Sequence, residues 1–290
     1  MGSMGMHVSR RMALGLLSTS VVAGCSRLEL LDAVAPRDSG GSLVAKGVPY
    51  GPEDRQKLDI YAPPNPVRAP VIIFVYGGSW QSGDRVDYGF LATSLAAQGF
   101  VTVIPDYRLV PQVRFPAFVE DGAAATAWVT REIQKYGGDG GRIVISGHSA
   151  GAYIAAMVSL APNYLKAAGA VNKLRGFAGL AGPYDFLPFD YPTIIDAFGN
   201  WPRPEETQPV RFVSQGAPPA LLLHGRNDTT VLPRQTISLA DRLKAAGNDV
   251  ELKIYENVDH IDIMLALSRP FRDSATTLAD VVSFARRVTA

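Results

Sequence analysis

From Leu58 onward the chain alternates short, β-branched apolar runs with longer segments whose apolar residues recur at helical spacing. Strands are expected at Leu58 to Tyr61, Val71 to Tyr76, Val101 to Ile104, Ile143 to Ile145, Leu174 to Leu180, Ala220 to Leu223 and Val250 to Tyr255. Helices are expected at Tyr88 to Gln98, Phe118 to Tyr136, Ala152 to Val158, Arg234 to Ala246 and Thr276 to Val288. This alternation implies an α/β fold, a mostly parallel central sheet with helices on both faces. The interval from Gly182 to Pro219 fits neither period and is rich in proline and aromatic residues. A segment of this length inside a compact domain is expected to act as a lid or pocket wall, with a packed surface excursion as the other possibility.

The N-terminal pattern is different. His7, Ser9, Arg10 and Arg11 precede an apolar stretch from Met12 to Ala23, followed by Gly24 and Cys25. A basic flank, a short apolar region and small residues at its end describe an export signal, too short to cross a bilayer as a helix. Val22-Ala23-Gly24-Cys25 resembles the lipobox of bacterial lipoproteins, which implies that Cys25 is lipidated. Residues 1–25 are accordingly expected to be a leader, 26–45 a linker and 46–290 one domain carrying the lid-like segment 182–219. The expected destination is the periplasm or a membrane-anchored lipoprotein of an exporting bacterium.

Composition narrows the function. With 47% hydrophobic residues and a formal charge of +1 over 290 residues, the chain has a large core and no polyanion-binding character, so nucleic acid is excluded as an expected partner. Cys25 is the one cysteine, which rules out an internal disulfide. No dinucleotide fingerprint and no histidine spacing for a metal is present, so no cofactor or metal is expected.

The segment Ile145-Ser146-Gly147-His148-Ser149-Ala150-Gly151-Ala152 places a serine between two glycines at a strand-to-helix turn. Such a turn forces its central residue into strained angles, and flanking glycines remove the Cβ atoms that would collide with strand and helix. Ser149 is therefore a candidate nucleophile, with the Ala150 amide at the helix N-terminus beneath an incoming carbonyl.

A serine hydroxyl needs a base, and imidazole has a suitable pKa. Of the four histidines, His7 lies in the leader, His148 is expected to point away from its neighbour and pack beside the strand, and His224 to brace the loop it opens. His260, on a loop after the strand ending at Tyr255, is the expected base. Asp228 follows the preceding strand by a short turn and is the expected carboxylate partner; Asp259, Asp262 and Asp185 are weaker rivals. The order Ser149, Asp228, His260 is that of α/β-hydrolases. Tyr76-Gly77-Gly78-Ser79-Trp80 comes directly off a strand, and its Gly78 and Ser79 amides are expected to join that of Ala150 as oxyanion donors.

Together these residues resemble the carboxylesterases of the α/β-hydrolase superfamily, the group related to the hormone-sensitive lipases and to bacterial feruloyl-esterase-like enzymes, whose oxyanion motif reads H-G-G-x-W. The resemblance runs from about Lys57 to the C-terminus and includes Asp106-Tyr107-Arg108-Leu109, Phe115-Pro116-Ala117 with Asp121, and Gly182-Pro183-Tyr184-Asp185. It implies an α/β-hydrolase fold and a serine carboxylesterase acting on short-acyl or aryl esters. The departure is Tyr76, where the family usually has a histidine that braces the oxyanion loop. Trp80, Tyr184 and Phe186 are candidate substrate-pocket residues. An amide-cleaving enzyme, arylformamidase-like or exopeptidase, is the nearest alternative, and a non-catalytic binding module on the same fold is the other.

Overall fold

The computed structural model describes Asp32, residues 35–170 and residues 174–290; the expected leader, including Cys25, lies outside them. Among the described residues, one sheet of eight strands organises the fold: β1 (Ser42–Pro49), β2 (Lys57–Ala62), β3 (Ala69–Val75), β4 (Val101–Pro105), β5 (Gly138–His148), β6 (Leu174–Leu180), β7 (Ala220–Gly225) and β8 (Val250–Tyr255). Their spatial order is β1-β2-β4-β3-β5-β6-β7-β8. The first two joins, β1 with β2 and β2 with β4, are antiparallel. Every join from β4 through β3 to β8 is parallel. The carboxyl ends of β3, β5, β6, β7 and β8 therefore share one edge of the sheet.

The apolar runs read from the sequence are the strands covered on both sides. All five residues of β4 and all six of β7 are buried, as is β5 from Ile143 to His148. Such strands are continuously apolar because helices cover both faces of the sheet. Edge strands look different: β8 alternates half-buried with exposed residues, and β1 is mostly exposed.

Helices α1 (Gly89–Ala97), α2 (Ala117–Glu132), α3 (Ala150–Leu160), α4 (Pro162–Ala167), α5 (Pro192–Phe198), α6 (Arg234–Ala245), α7 (Asp262–Leu265) and α8 (Thr277–Thr289) surround the sheet. α2 and α3 approach closely because Gly122 lies between them; a Cβ there would sit 2.5 Å from the Ile154 side chain. The three short helices α4, α5 and α7 were not legible as helical periods, since four to seven residues span too few turns to display one.

The expected linker is corrected at its C-terminal end. β1 starts at Ser42, inside the stretch 26–45. Upstream, the Asp32 carboxylate accepts a hydrogen bond from the Phe90 amide at 2.6 Å, and Arg272 pairs with Asp38 at 2.6 Å. β1 escaped the sequence reading because it is an exposed edge strand without a dense apolar run. Gly47, at φ +63, and two register shifts against β2 break its alternation further.

Candidate active site

The turn at the end of β5 has the geometry that its glycines require. Ser149 sits at φ 54 and ψ −124, in the left-handed region that an L residue enters only when its surroundings hold it there. A Cβ on Gly147 would lie 2.4 Å from the Gly151 carbonyl oxygen, and one on Gly151 would lie 2.0 Å from that of Val75. Glycine at both positions lets β3, β5 and α3 converge on the serine. The Ser149 amide donates to the Leu180 carbonyl at 2.9 Å, which ties the turn to β6.

Three side chains from three strand ends meet there. The Ser149 hydroxyl lies 2.9 Å from His260 Nε2, and His260 Nδ1 lies 2.7 Å from Asp228 Oδ2. Because Asp228 accepts at Nδ1–H, Nε2 is left to accept the serine proton. Ser149 is half-buried, while His260 and Asp228 are buried.

Asp228 is held from all sides. Its Oδ1 accepts the Thr230 and Val231 amides, both at 2.9 Å, and its Oδ2 faces His224 Nε2 at 3.1 Å besides His260. Burial alone would push this carboxyl up, but hydrogen bonds from His224, His260 and Val231 outweigh it and hold it well below the usual carboxylate range. His224 braces the loop as expected, with Nε2 2.7 Å from the Val231 carbonyl and Nδ1 2.6 Å from Thr236 Oγ1. Two of the rival carboxylates are engaged elsewhere. Asp259 accepts the Ile261 and Asp262 amides at 2.8 and 2.9 Å, and Asp185 accepts the Ser238 hydroxyl at 2.6 Å.

Two contacts that bring the Asp228 and His260 loops together were missed from the sequence. The Asn227 amide donates to the Val258 carbonyl at 3.0 Å, and a Cβ on Gly225 would lie 2.2 Å from that same oxygen. Gly225 directly follows His224 in a glycine-ended strand, a signal of close backbone approach that the sequence did carry.

The loop after β3 turns sharply. Gly78 has φ 129, and Ser79 and Trp80 follow at φ 53 and 60. The Gly78 carbonyl accepts the Gln81 and Ser82 amides at 2.9 and 3.0 Å. Among the described residues, the amides of Gly78, Ser79 and Ala150 donate to no backbone carbonyl, which leaves three N–H groups available at the loop and at the N-terminus of α3. Tyr76 braces this loop through its hydroxyl and its ring. Its hydroxyl donates to Asp106 at 2.7 Å and accepts from Arg55 at 2.8 Å, and the same Arg55 group donates to the Gly83 carbonyl at 2.7 Å. Its ring stacks on Tyr88 and Tyr107 at 5.1 and 5.0 Å.

Trp80 and Phe186 enter one aromatic cluster with Phe118, Tyr153 and Phe198. The Trp80 ring stands edge-on to Phe198 at 4.8 Å and to Tyr153 at 5.4 Å, and Phe186 meets Phe198 at 5.3 Å. Trp80 directly follows Ser79 and Tyr153 lies one turn beyond Ser149, so the cluster is carried in part by the same two segments as the oxyanion loop and the elbow. Tyr184 is placed elsewhere, which corrects its grouping with these two. It is fully buried, edge-on to Phe177, with Gly179 and Gly182 packed against its ring. The lid-like segment carries Phe186, Phe189, α5 and Trp201. It is fastened by the Tyr153 hydroxyl to the Thr207 carbonyl at 2.8 Å and by the Phe115 amide to the Ala197 carbonyl at 3.0 Å.

The BD-FAE family model matches residues 58–243, well over half of the chain, including β3 and β5, the strands that lead into the oxyanion loop and the elbow. The chain belongs to the BD-FAE family. Curated relatives include Esterase LipC of Mycobacterium tuberculosis, 33% identical over 68% of this chain and 54% of its own length. Another is the isoprenylcysteine alpha-carbonyl methylesterase ICME of Arabidopsis thaliana, 30% identical over 82% of this chain and 60% of its own length. The chain thus spans between about half and two thirds of these relatives. Among solved structures, esterase B of Lactobacillus rhamnosis superposes with a TM-score of 0.80 at 20% identity, covering 95% of this chain and 96% of that one. The propionate-bound esterase 2 of Thermogutta terrifontis gives 0.69 at 25% identity, covering 87% and 94%. The eight-stranded, mostly parallel sheet of this BD-FAE member is the α/β-hydrolase fold.

Proposed function

We propose that the chain is a serine carboxylesterase that hydrolyses short-acyl or aryl carboxylic esters through an acyl-enzyme intermediate. The observation that carries this reading is the continuous hydrogen-bonded path from Ser149 Oγ through His260 to Asp228, 2.9 and 2.7 Å long at its two steps. His260 takes the Ser149 proton as the oxygen attacks the ester carbonyl. The Gly78, Ser79 and Ala150 amides receive the oxyanion, each such donor being worth about 3 to 4 kcal/mol of barrier. His260, with its charge balanced by Asp228, then protonates the leaving alcohol and activates water against the acyl-enzyme.

Two observations support the choice of substrate class. The curated relatives named above are an esterase and a methylesterase, which favours esters over amides. The aromatic cluster beside Ser149 already holds Phe198 at its centre, which favours a short acyl group or a flat aryl one over a long chain. The test is turnover of p-nitrophenyl esters from acetate to palmitate, with an anilide and N-formylkynurenine alongside, by the chain and by Ser149→Ala. We expect rapid hydrolysis of acetate and butyrate esters, lowered by at least about 10⁴-fold in Ser149→Ala. Preference for palmitate would overturn the acyl assignment, turnover of the amides alone would replace esterase by amidase, and full activity in Ser149→Ala would remove the serine from the mechanism.

A further inference from the structure

His148 has no part in the mechanism above, yet its ring lies at the junction of the three segments that make the site. As the residue before Ser149 it ends β5, where it still pairs with Leu180 of β6. The sequence reading has it packing beside the strand; its ring in addition reaches the loop after β8. Its Nε2 lies 2.7 Å from the carbonyl oxygen of His260, and the two imidazoles are 4.7 Å apart, inclined by 47°. On its other side is the oxyanion loop: a Cβ on Gly77 would lie 3.2 Å from His148 Nδ1 and 3.0 Å from Ser149 Cβ. A glycine at that position is what lets the imidazole sit between the two loops.

A carbonyl can only accept, so His148 Nε2 carries a hydrogen and donates it. The ring is almost completely buried, and burial, followed by the neighbouring His260 ring, lowers its pKa from the ordinary 6.5 to about 3. At neutral pH it is therefore an uncharged donor that adds no positive charge beside the base.

We infer that His148 is a positioning residue for the catalytic base, holding the His260 main chain by its Nε2–H and thereby fixing the height of the His260 imidazole over Ser149. The His260 loop leaves the sheet after Tyr255 and is tied at Val258 by the Asn227 amide, so His148 supplies the next fixed point, at the catalytic residue itself. This inference rests on the reading of Ser149 and His260 as nucleophile and base. Displacement of a catalytic group by about 1 Å costs on the order of 100-fold in rate, and such a loss appears in kcat when substrate binding is made elsewhere.

Three substitutions separate the hydrogen bond from mere filling of space. In His148→Phe the ring remains and the donor is lost. In His148→Gln an amide donor falls near the place of Nε2, whereas in His148→Asn it falls near that of Nδ1 and does not reach the carbonyl. Steady-state kinetics on p-nitrophenyl butyrate with thermal midpoints measured in parallel should give H148F and H148N down about 30- to 100-fold in kcat with KM within about threefold, and H148Q within about fivefold in kcat. Should H148F fail to fold, the contrast between H148N and H148Q carries the test unaltered. The inference is overturned if H148F or H148N keeps wild-type kcat, or if folded H148Q falls as far as H148N. Ser149→Ala serves as the control: if it abolishes turnover while H148F and H148N are unimpaired, only the role of His148 fails; if it leaves turnover intact, the site assignment itself fails.

Discussion

The loops after β5, β7 and β8 and the segment from Gly182 to Pro219 both lie at the carboxyl edge of the sheet, but they are held by different forces. In the first, polar groups fix one another at hydrogen-bond distance: Asp228 alone receives His260, His224, Thr230 and Val231. In the second, rings pack on rings around Phe198, which meets Trp80, Phe118, Tyr153 and Phe186 at 4.8, 5.6, 5.3 and 5.3 Å. Directional bonds define a geometry and tolerate few residue types, whereas aromatic packing defines a volume that many residues fill. In the function proposed above, the first region governs whether a reaction occurs and the second which acyl group fits.

The sharpest break of this contrast is Asp228→Asn. The shape is kept, but the amide has a single acceptor oxygen and cannot receive both the two histidines at Oδ2 and the Thr230 and Val231 amides at Oδ1, so the His260 tautomer is no longer fixed and imidazolium loses its counter-charge. We expect kcat on p-nitrophenyl acetate to fall about 10⁴-fold, with KM nearly unchanged. A fall below about tenfold would mean that the carboxylate is not what orients the base.

Phe198→Ala attacks the other region. Removing a fully buried ring from a packed cluster costs about 3 to 5 kcal/mol of stability. Urea denaturation should show that loss, and the vacated volume should shift the ester preference from acetate toward longer acyl groups. A loss under about 1 kcal/mol would indicate that backbone anchors such as Phe115 to Ala197, rather than the rings, hold the segment.

The smallest effect lies in pH dependence. His148 is held neutral when folded, with its pKa lowered from 6.5 to about 3, so between those values the unfolded chain binds a proton that the folded chain does not. Its penalty is absent above about pH 6.5 and grows as pH falls toward 3, at about 1.4 kcal/mol per unit. Asp228 works in the same direction lower down: its depressed carboxyl pKa contributes stability that is complete above the ordinary carboxylate range and lost as pH falls through the folded value. Between pH 6.5 and 4.5, His148→Gln should therefore flatten the stability profile by about 2 to 3 kcal/mol. Parallel profiles for the chain and the variant would show that the imidazole is not kept uncharged.

The order of the fold was legible because the interior of a parallel sheet is apolar on both faces, which makes β3, β4 and β5 stand out as β-branched runs and β7 as a leucine run. β1 was not, because an exposed edge strand carries only half of that signal and Gly47 interrupts it. The pairing of Ser149, Asp228 and His260 was legible from chain order and from the strand ends that carry them. The contact made by His148 was not, because its partner lies on a loop 112 residues away in sequence.

The sequence by itself determined where the sheet lies, that a strained serine closes β5 between two obligatory glycines, and which strand ends bring a base and a carboxylate to the same edge. These follow from local sterics and periodicity, which neighbouring residues settle among themselves. Only the tertiary structure decided that Tyr184 lies beneath β6 while Trp80 joins Phe186 and Phe198, that Tyr76 braces the oxyanion loop through Arg55 and Asp106, and that His148 reaches the His260 carbonyl. Each of these depends on contacts between segments distant in sequence, where the partner is chosen by the packing of the whole chain.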